Sequence, residues 1–408
     1  MERLEAAGYT LAPFGEPVEL GIINTCTVTR EADAKSRKMI RAFVRKNPQA
    51  FLAVVGCYAQ LSSHALAAIE GVDLILGNRE KLDVLKYVTD GKNRPPVIVC
   101  GAVPREDFAI PVACGALQTR RANLKIQDGC GFRCSYCVVP AARGAPRSRT
   151  MDNLLEEARQ RVRCGVKEIV LTGVNVGLYR FQGHTLLDVI DRLNEIEGLR
   201  RIRLSSIELN TVPEGLFERM NDPQHALVPH LHVPLQSGSD KVLVRMNRKY
   251  SRAEFADFLR RADCAVRDLC LGTDVLVGMP GESEEDFEDT CRLVRESPIT
   301  YAHVFRYSER EGTPAVELGP TVAPGIRKER STRLRKISAE KRRQYYRRYL
   351  GTTQDVLFEE QEAGHWCGYT RNYIRVAVCS TERLENTIVA VTLEREEGGR
   401  VLGPMVER

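Results

Sequence analysis

The sequence predicts an α/β protein made of two β/α segments followed by a short all-β segment. Over residues 18–88, short apolar β-prone runs alternate with helical patterns. The runs lie at 18–24, 51–57 and 72–78. Such alternation is typical of a parallel sheet flanked by helices. We therefore expect an N-terminal parallel α/β domain over residues 1–95.

A second β/α segment contains six strand candidates, with helical patterns between most of them. The candidates lie near residues 122–128, 167–172, 200–207, 229–235, 269–277 and 301–307. Six such units favour an incomplete β/α barrel, a partial (β/α)6 arrangement. We expect this central domain to span residues 118–348 and to end with a basic helix over 327–349.

After Gly351 the pattern changes to alternating strands with glycine-containing turns. Strand candidates lie at 353–359, 373–379 and 387–394. A segment of roughly 55 residues with this pattern predicts a small closing β-barrel over residues 351–408.

Composition favours a soluble, cytoplasmic protein. The sequence shows no leader peptide, and its apolar runs are far shorter than the roughly 20 residues that span a membrane. Its 13 cysteines are an odd number scattered over 408 residues. That distribution favours thiols and metal ligands in a reducing compartment over a disulfide framework.

Positive charge is concentrated in the basic helix. The net charge is only +6, yet residues 327–348 contain eleven Lys and Arg against Glu329 and Glu340. This bias indicates a polyanionic partner.

Three cysteines, Cys130, Cys134 and Cys137, lie on one loop after the first strand of the predicted barrel. Thiolates at that position suit an iron–sulfur cluster. Three ligands leave one iron of a four-iron cluster open, for example to the amino and carboxylate groups of S-adenosylmethionine (SAM). Structural zinc and unliganded core thiols are the alternatives, although the paired halves of a zinc motif are not found nearby.

The CxxxCxxC spacing, with Tyr136 just before the last cysteine, resembles the radical SAM superfamily. Further motifs resemble its methylthiotransferases over essentially the whole chain, at residues 24–28, 56–60, 127–130, 142–144 and 232–239. Other segments look most like the methylthiotransferases that act on N6-threonylcarbamoyladenosine in tRNA, at residues 204–208, 303–308, 311–314 and 368–373.

The resemblance implies a mechanism with two four-iron clusters and two molecules of SAM. One SAM methylates sulfur, and the second is cleaved at the open cluster. The resulting 5'-deoxyadenosyl radical activates C2 of the modified adenine at position 37, and sulfur from an auxiliary cluster fills that position. Auxiliary ligands of the family match Cys26 and Cys57. The family's first auxiliary cysteine is absent and is expected upstream of Met1, so the chain resembles a member without its extreme N-terminus.

The resemblance also implies residues that contact SAM. These are Tyr136, Thr172, Gly173, Val277 and Gly278, although glycines that end strands serve ordinary turns equally well. Polar residues from consecutive strands are expected to converge at the barrel mouth. They are Ser205, Ser206, Glu208, His232 and Gln236, for which a satisfied buried network is the alternative.

For RNA binding, the sequence offers Arg342, Arg343 and Arg347 on the basic helix, beside Tyr345, Tyr346 and Tyr349 as stacking faces. A solvated helix face is the alternative. The terminal β-barrel resembles the TRAM domain, which implies RNA contacts from Arg371 and Tyr373. The expected partners are a tRNA anticodon loop, an electron donor such as flavodoxin or ferredoxin, and an undefined sulfur donor. No membrane partner is expected.

Three alternatives to the threonylcarbamoyladenosine enzyme remain. The chain resembles, less closely, the methylthiotransferases for isopentenyladenosine-37 of tRNA and for an aspartate of a ribosomal protein. From a different class, an RNA-binding protein with a structural iron–sulfur cluster would also contain the cysteine loop.

Overall fold

The computed structural model describes residues 2–89, 91–103, 105–112 and 121–406. They form two compact units. Unit 1 comprises residues 1–116, 128–147 and 308–316, and unit 2 comprises residues 117–127, 148–307 and 317–408. The domain limits at 95, 348 and 351 stay predictions, and the limit at residue 118 lies outside the described residues.

Unit 1 contains a four-stranded parallel sheet, as predicted. Its strands follow chain order: β1 Leu20–Thr25, β2 Phe51–Gly56, β3 Leu74–Leu76 and β4 Val97–Val99. Strand β2 is buried along its whole length, which places the core of the unit around it. The sequence analysis missed β4, because a three-residue edge strand with exposed side chains has no distinctive pattern.

The longest helix of unit 1 begins at a polar cap. Thr29 accepts a hydrogen bond from the amide of Ala32, which caps the first turn of the longest helix. The helices in the first part of the chain are α1 Glu2–Ala6, α2 Arg30–Lys46, α3 Cys57–Leu61 and α4 Ser63–Ala67, followed by a 3-10 segment at Glu80–Lys86.

Unit 2 contains the six predicted barrel strands. Two three-stranded parallel sheets, β5-β8-β9 and β10-β11-β12, are joined by bridges from Ile202 to Leu227 and from Ser206 to His232. The strands in this part of the chain are β5 Arg121–Lys125, β6 Gln127–Asp128, β7 Arg147–Ser148, β8 Glu168–Thr172, β9 Arg201–Leu204, β10 His230–His232, β11 Cys270–Val277 and β12 Tyr301–Arg306. The prediction of a partial (β/α)6 barrel is confirmed.

Helices alternate with these strands. Capping boxes at Thr185, Ser251 and Ser283 start three of them, because each cap side chain and an acidic residue three positions later bond to each other's backbone. The helices are α5 Val139–Arg143, α6 Met151–Arg163, α7 Leu186–Asn194, α8 Leu216–Asn221, α9 Asp240–Arg245, α10 Arg252–Ala265, α11 Glu284–Glu296 and α12 Pro324–Arg347, with 3-10 turns at Val176–Leu178, Leu209–Thr211 and Pro314–Glu317.

The end of unit 2 is the predicted small β-barrel. Its strands are β13 Thr353–Glu362, β14 His365–Thr370, β15 Arg375–Val378, β16 Ile388–Thr392, β17 Arg395–Glu397 and β18 Arg400–Leu402. They pair in the order β16-β13-β14-β15-β18-β17, and a bridge from Val391 to Met405 joins β16 to the segment after β18. Within the described part of the chain, none of the helices has the length and apolar content to cross a bilayer.

Candidate active site

The cysteine loop of unit 1 lies between β6 and α5. Cys130, Cys134 and Cys137 are half-buried on this one loop. The backbone amides of Phe132 and Val139 donate to the sulfurs of Cys130 and Cys137, both at 3.4 Å. Amide donors of this kind stabilise thiolate ligands.

Asp128 and Gly129 fix the start of this loop. The buried Asp128 carboxylate accepts from Arg143 at 3.0 Å and from Arg147 at 3.1 Å. Gly129 has a φ of +73°, and a Cβ there would collide with the carbonyl oxygens of Ala145 and Gly144. The loop therefore requires glycine at this position.

Cys26 and Cys57 lie at the same edge of the sheet in unit 1. Thr25 pairs with Gly56 at the ends of β1 and β2, so the next residue of each strand is a cysteine. Cys26 is exposed and Cys57 is half-buried. Parallel strands place binding sites at this carboxyl edge, which agrees with the role predicted for the pair.

Two side chains contact Cys57. The Asn78 amide donates to its sulfur at 3.5 Å and to the carbonyl of Ala142 at 2.9 Å. Burial acts to lower the pKa of the Arg143 guanidinium, yet the neighbouring Cys57 and Asp128 raise it above its usual value. Cys57 thus lies beside a fixed positive charge, which suits a thiolate ligand.

The donor set of unit 1 fits iron–sulfur clusters. No disulfide joins any cysteine in the described part of the chain. The three thiols of the loop, with amide donors on two of them, suit a cluster with one open iron. The loop has no paired second motif of the kind that structural zinc uses.

In unit 2, Thr172, which is predicted to bind SAM, and four residues predicted to converge at the barrel mouth lie at or after the carboxyl ends of barrel strands. Thr172 ends β8, Ser205 and Ser206 follow β9, His232 ends β10, and Gln236 follows it. Gln236 has a φ of +67°, which is unusual for a residue other than glycine and occurs often at functional sites. The structure thus places these five residues at one end of the strands or within the barrel.

Three other residues that were predicted to contact a ligand instead contact other groups of the protein. Val277 is 1% exposed and packs in the core. A Cβ on Gly278 would collide with the side chain of Arg327. The group that lies closest to this glycine is therefore a side chain of the protein. Glu208 forms an ion pair with Arg248. The Val277 side chain therefore cannot contact a ligand, which leaves only its backbone for that role.

A cavity of about 700 Å³ in unit 2 is lined by the barrel strands and by Glu359, Glu360 and Tyr373 of the terminal barrel, and in it Asp274 bridges two histidines. Its carboxylate is 3.1 Å from Nε2 of His232 and 3.4 Å from Nδ1 of His303. Burial opposes ionisation of Asp274, but the hydrogen bonds from the two imidazoles hold its pKa well below the usual range. Asp274 is therefore an anion that fixes the orientation of both rings.

The sequence analysis missed Asp274, His303, His230 and Tyr301, which line this cavity with His232. A signal existed, because His230 and His232 are two positions apart on one strand, as are Tyr301 and His303 on another. Alternate residues of a strand share a face. Two aromatic pairs with this spacing, on the strands at either side of β11, indicate a lined interior.

The RNA-binding predictions need correction. Arg342, Arg343 and Arg347 are exposed, as predicted. The three tyrosines of the basic helix pack in the core of the terminal barrel, so they offer no stacking faces; Tyr345, Tyr346 and Tyr349 are 4%, 4% and 6% exposed.

Arg371 and Tyr373, the two residues of the terminal barrel predicted to contact RNA, also contact other parts of unit 2. Arg371 donates to the carbonyls of His225 and Leu227, both at 3.1 Å. Tyr373 stacks on Tyr369 with ring centroids 4.8 Å apart, and Arg203 lies over its ring. Both residues are only half-buried, and their RNA contacts stay a prediction.

Comparison with known proteins gives two family matches. Residues 124–294 match the model of the radical SAM superfamily, and residues 1–77 match the uncharacterized protein family UPF0004. A solved structure of the radical SAM methyltransferase TsrM from Kitasatospora setae is 17% identical, with a TM-score of 0.54, over 74% of this chain and 66% of that one. This likeness concerns the fold alone.

Similar sequences extend over nearly the whole chain. The threonylcarbamoyladenosine tRNA methylthiotransferase MtaB of Bacillus subtilis is 37% identical, over 96% of this chain and 89% of the relative. The MtaB of Thermotoga maritima is 33% identical, over 97% and 91%. A tRNA-2-methylthio-N(6)-dimethylallyladenosine synthase of Methylacidiphilum infernorum is also 33% identical, over 97% and 88%.

Proposed function

Because the chain belongs to the radical SAM methylthiotransferase family, we propose that it adds a methylthio group to C2 of N6-threonylcarbamoyladenosine at position 37 of tRNA. The observation that carries this substrate is the similarity to enzymes named for it, at 33–37% identity over most of both chains. Relatives named for the dimethylallyl substrate reach 33% identity, so the N6 substituent is the point to test.

Cys130, Cys134 and Cys137 would hold a four-iron cluster whose fourth iron binds SAM. When bound, this cluster supplies the electron that cleaves SAM. The protein contributes the geometry: Asp128 and Gly129 fix the loop, and amides of Phe132 and Val139 point at the sulfurs. The half-buried loop limits the access of water to this reaction.

Cys26 and Cys57 are the proposed ligands of the auxiliary cluster, which carries the sulfur that is transferred. Asn78 and Arg143 lie beside Cys57, where a hydrogen bond and a positive charge offset the negative charge of the thiolate. Tyr136, Thr172, Gly173, Ser205, Ser206, His232 and Gln236 are proposed to contact SAM or the base, together with Glu208 and the backbone of Val277 and Gly278.

The proposed partner is the anticodon loop of a tRNA in the cytoplasm, with a flavodoxin or ferredoxin as electron donor. Arg342, Arg343 and Arg347 form an exposed basic surface on α12 that suits phosphate contacts. The proposed domains are a methylthiotransferase domain over 1–95, a radical SAM domain over 118–348 and a TRAM domain over 351–408.

Nucleoside analysis tests the proposed substrate. We expect tRNA from a strain that lacks this gene to lose 2-methylthio-N6-threonylcarbamoyladenosine and to accumulate its unmethylthiolated precursor. The gene should restore the nucleoside, and a Cys130→Ala, Cys134→Ala, Cys137→Ala variant should not. Loss of the methylthio-isopentenyl nucleoside alone would assign the enzyme to the other tRNA substrate.

A further inference from the structure

The cavity of unit 2 is lined by polar side chains from several strands. Asn123, Ser205 and Ser206 line it together with the cluster of Asp274, His232 and His303. His303 is 59% exposed and uses Nδ1 in its contact with Asp274, so its Nε2 can meet a ligand. Asn123 is also exposed in this structure. The cavity therefore offers hydrogen-bonding groups at several points of its surface.

Two buried polar atoms of this lining have no hydrogen-bond partner among the described residues. They are Nδ1 of His230 and Oγ of Ser205. His230 is 5% exposed, and its other ring nitrogen is 3.0 Å from the Tyr301 hydroxyl. An unpaired buried polar atom destabilises a folded protein. A polar ligand would provide the missing partners, whereas a hydrocarbon ligand would leave both atoms unsatisfied.

Charged side chains also line the cavity, two arginines and three carboxylates, the latter being Asp274, Glu359 and Glu360. Arg121 and Arg203 line it, and each is paired with one carboxylate, Glu359 and Glu168 respectively. Burial and the neighbouring Arg203 hold the pKa of His230 well below its usual value, so its ring is neutral and can donate or accept. Asp274 fixes the orientation of the His303 ring. Because Nδ1 of His303 donates to Asp274, the neutral imidazole offers Nε2 as an oriented acceptor for an N–H or O–H group of a polar ligand.

We infer that this cavity binds the threonylcarbamoyl group on N6 of the substrate adenine and is the element that distinguishes it from an isopentenyl group. The inference rests on the proposed function and adds the residues that read the substituent. The threonylcarbamoyl group carries the N–H groups of a urea and a hydroxyl, which can bond to the polar side chains of the lining, whereas the isopentenyl group carries only hydrocarbon. A site built to hydrogen-bond a substituent rejects an analogue that lacks those groups, because its own polar atoms stay unpaired.

Binding of three anticodon stem-loop RNAs to the full, reconstituted chain tests this inference. The RNAs carry threonylcarbamoyladenosine, isopentenyladenosine or plain adenosine at position 37. We expect His303→Leu to weaken binding of the threonylcarbamoyl RNA about tenfold, because the hydrogen bond that His303 Nε2 accepts from the substituent is lost, with little effect on the other two. Asn123→Asp, which keeps the side-chain size and adds a negative charge, should have the same selective effect. His184→Leu, outside the cavity, is the matched control.

Equal losses for all three RNAs, or unchanged binding of the threonylcarbamoyl RNA in both variants, would overturn the inference. So would a wild-type enzyme that methylthiolates the threonylcarbamoyl RNA but binds it no better than the plain RNA. Product formed only from the isopentenyl RNA would overturn the proposed function itself, which keeps the two failures distinguishable. Thermal unfolding of each variant establishes that it is folded.

Discussion

At the scale of single residues, the cysteine loop depends on one backbone position as much as on its thiols. Gly129 has a positive φ, and its missing side chain leaves room for the carbonyl oxygens of Ala145 and Gly144. Gly131, two positions later in the same loop, has no such requirement, because an added Cβ would meet Pro146 only at 3.5 Å. The two glycines therefore form a matched pair for experiment.

Gly129→Ala should prevent the loop from holding its cluster. The added methyl group strains the backbone and pushes it away from residues 144 and 145, which displaces the amide that starts the loop. After anaerobic reconstitution, we expect the variant to lose most of the iron held by this loop. Gly131→Ala should retain the wild-type iron content. Equal iron content in both variants would show that the conformation at Gly129 is not needed.

At the scale of residues, the sequence indicates the three cysteines of the loop more directly than it indicates the side chains that line the cavity. The spacing of Cys130, Cys134 and Cys137 indicates their chemistry directly, because nearby thiolates on one loop have few other uses. Asp274 and His303 come from two strands that pair only in the folded barrel. Their meeting depends on strand register, which no local pattern encodes.

At the scale of elements, a buried ion-pair cluster joins two barrel strands and also donates hydrogen bonds to the terminal barrel within unit 2. Glu168 on β8 accepts from Arg203 at 2.7 Å, and Arg201 lies 3.8 Å from it. Arg201 also donates to the carbonyls of Tyr369 and Asp355 at 2.7 and 2.8 Å. All three charged side chains are at most 3% exposed. One carboxylate therefore compensates two buried guanidinium groups.

Glu168→Gln should destabilise the protein by about 3–5 kcal/mol at neutral pH, because it leaves buried charges uncompensated. Burial opposes ionisation of Glu168, but Arg203 and Arg201 lower its pKa below the usual value. Its stabilising contribution is therefore present above the unfolded pKa, about 4.3, and is lost as pH falls through the lower folded value. Urea unfolding of wild type and variant should differ most near neutral pH and converge in acid.

The control for this prediction is Glu195→Gln. Glu195 is 68% exposed and pairs only with the exposed Arg192 at 3.9 Å. Surface pairs of this kind contribute little. Equal unfolding midpoints for the Glu168 and Glu195 variants would contradict the role given to the buried pair.

The elements were predictable where the hydrophobic period was strong. All six barrel strands and the first three strands of unit 1, which are buried or nearly so, were predicted, because buried parallel strands form continuous apolar runs. The basic helix shows where this reasoning fails. Tyr345, Tyr346 and Tyr349 resemble exposed stacking residues in a chain of arginines, and only the docking of α12 on the terminal barrel buries them.

At the scale of the whole molecule, each unit contains one part of the predicted machinery. Unit 1 contains the cysteine loop together with Cys26 and Cys57, and unit 2 contains the barrel strands with the predicted SAM residues and the polar cavity. The loop of residues 128–147 belongs to unit 1, although the sequence assigned it to the barrel domain. Chain order alone does not show that a segment such as 128–147 packs in a different unit from the residues on either side of it.

The most direct test of the central claim is anaerobic reconstitution of the full chain, followed by assays of iron, of the electron paramagnetic resonance spectrum with and without SAM, and of 5'-deoxyadenosine. We expect about four irons to depend on the cysteine loop, a spectrum that changes when SAM is added, and cleavage of SAM after reduction. The Cys130→Ala, Cys134→Ala, Cys137→Ala variant should lose all three, while any iron on Cys26 and Cys57 persists. Wild-type protein that binds no iron, or that holds a cluster insensitive to SAM and forms no 5'-deoxyadenosine, would contradict the account.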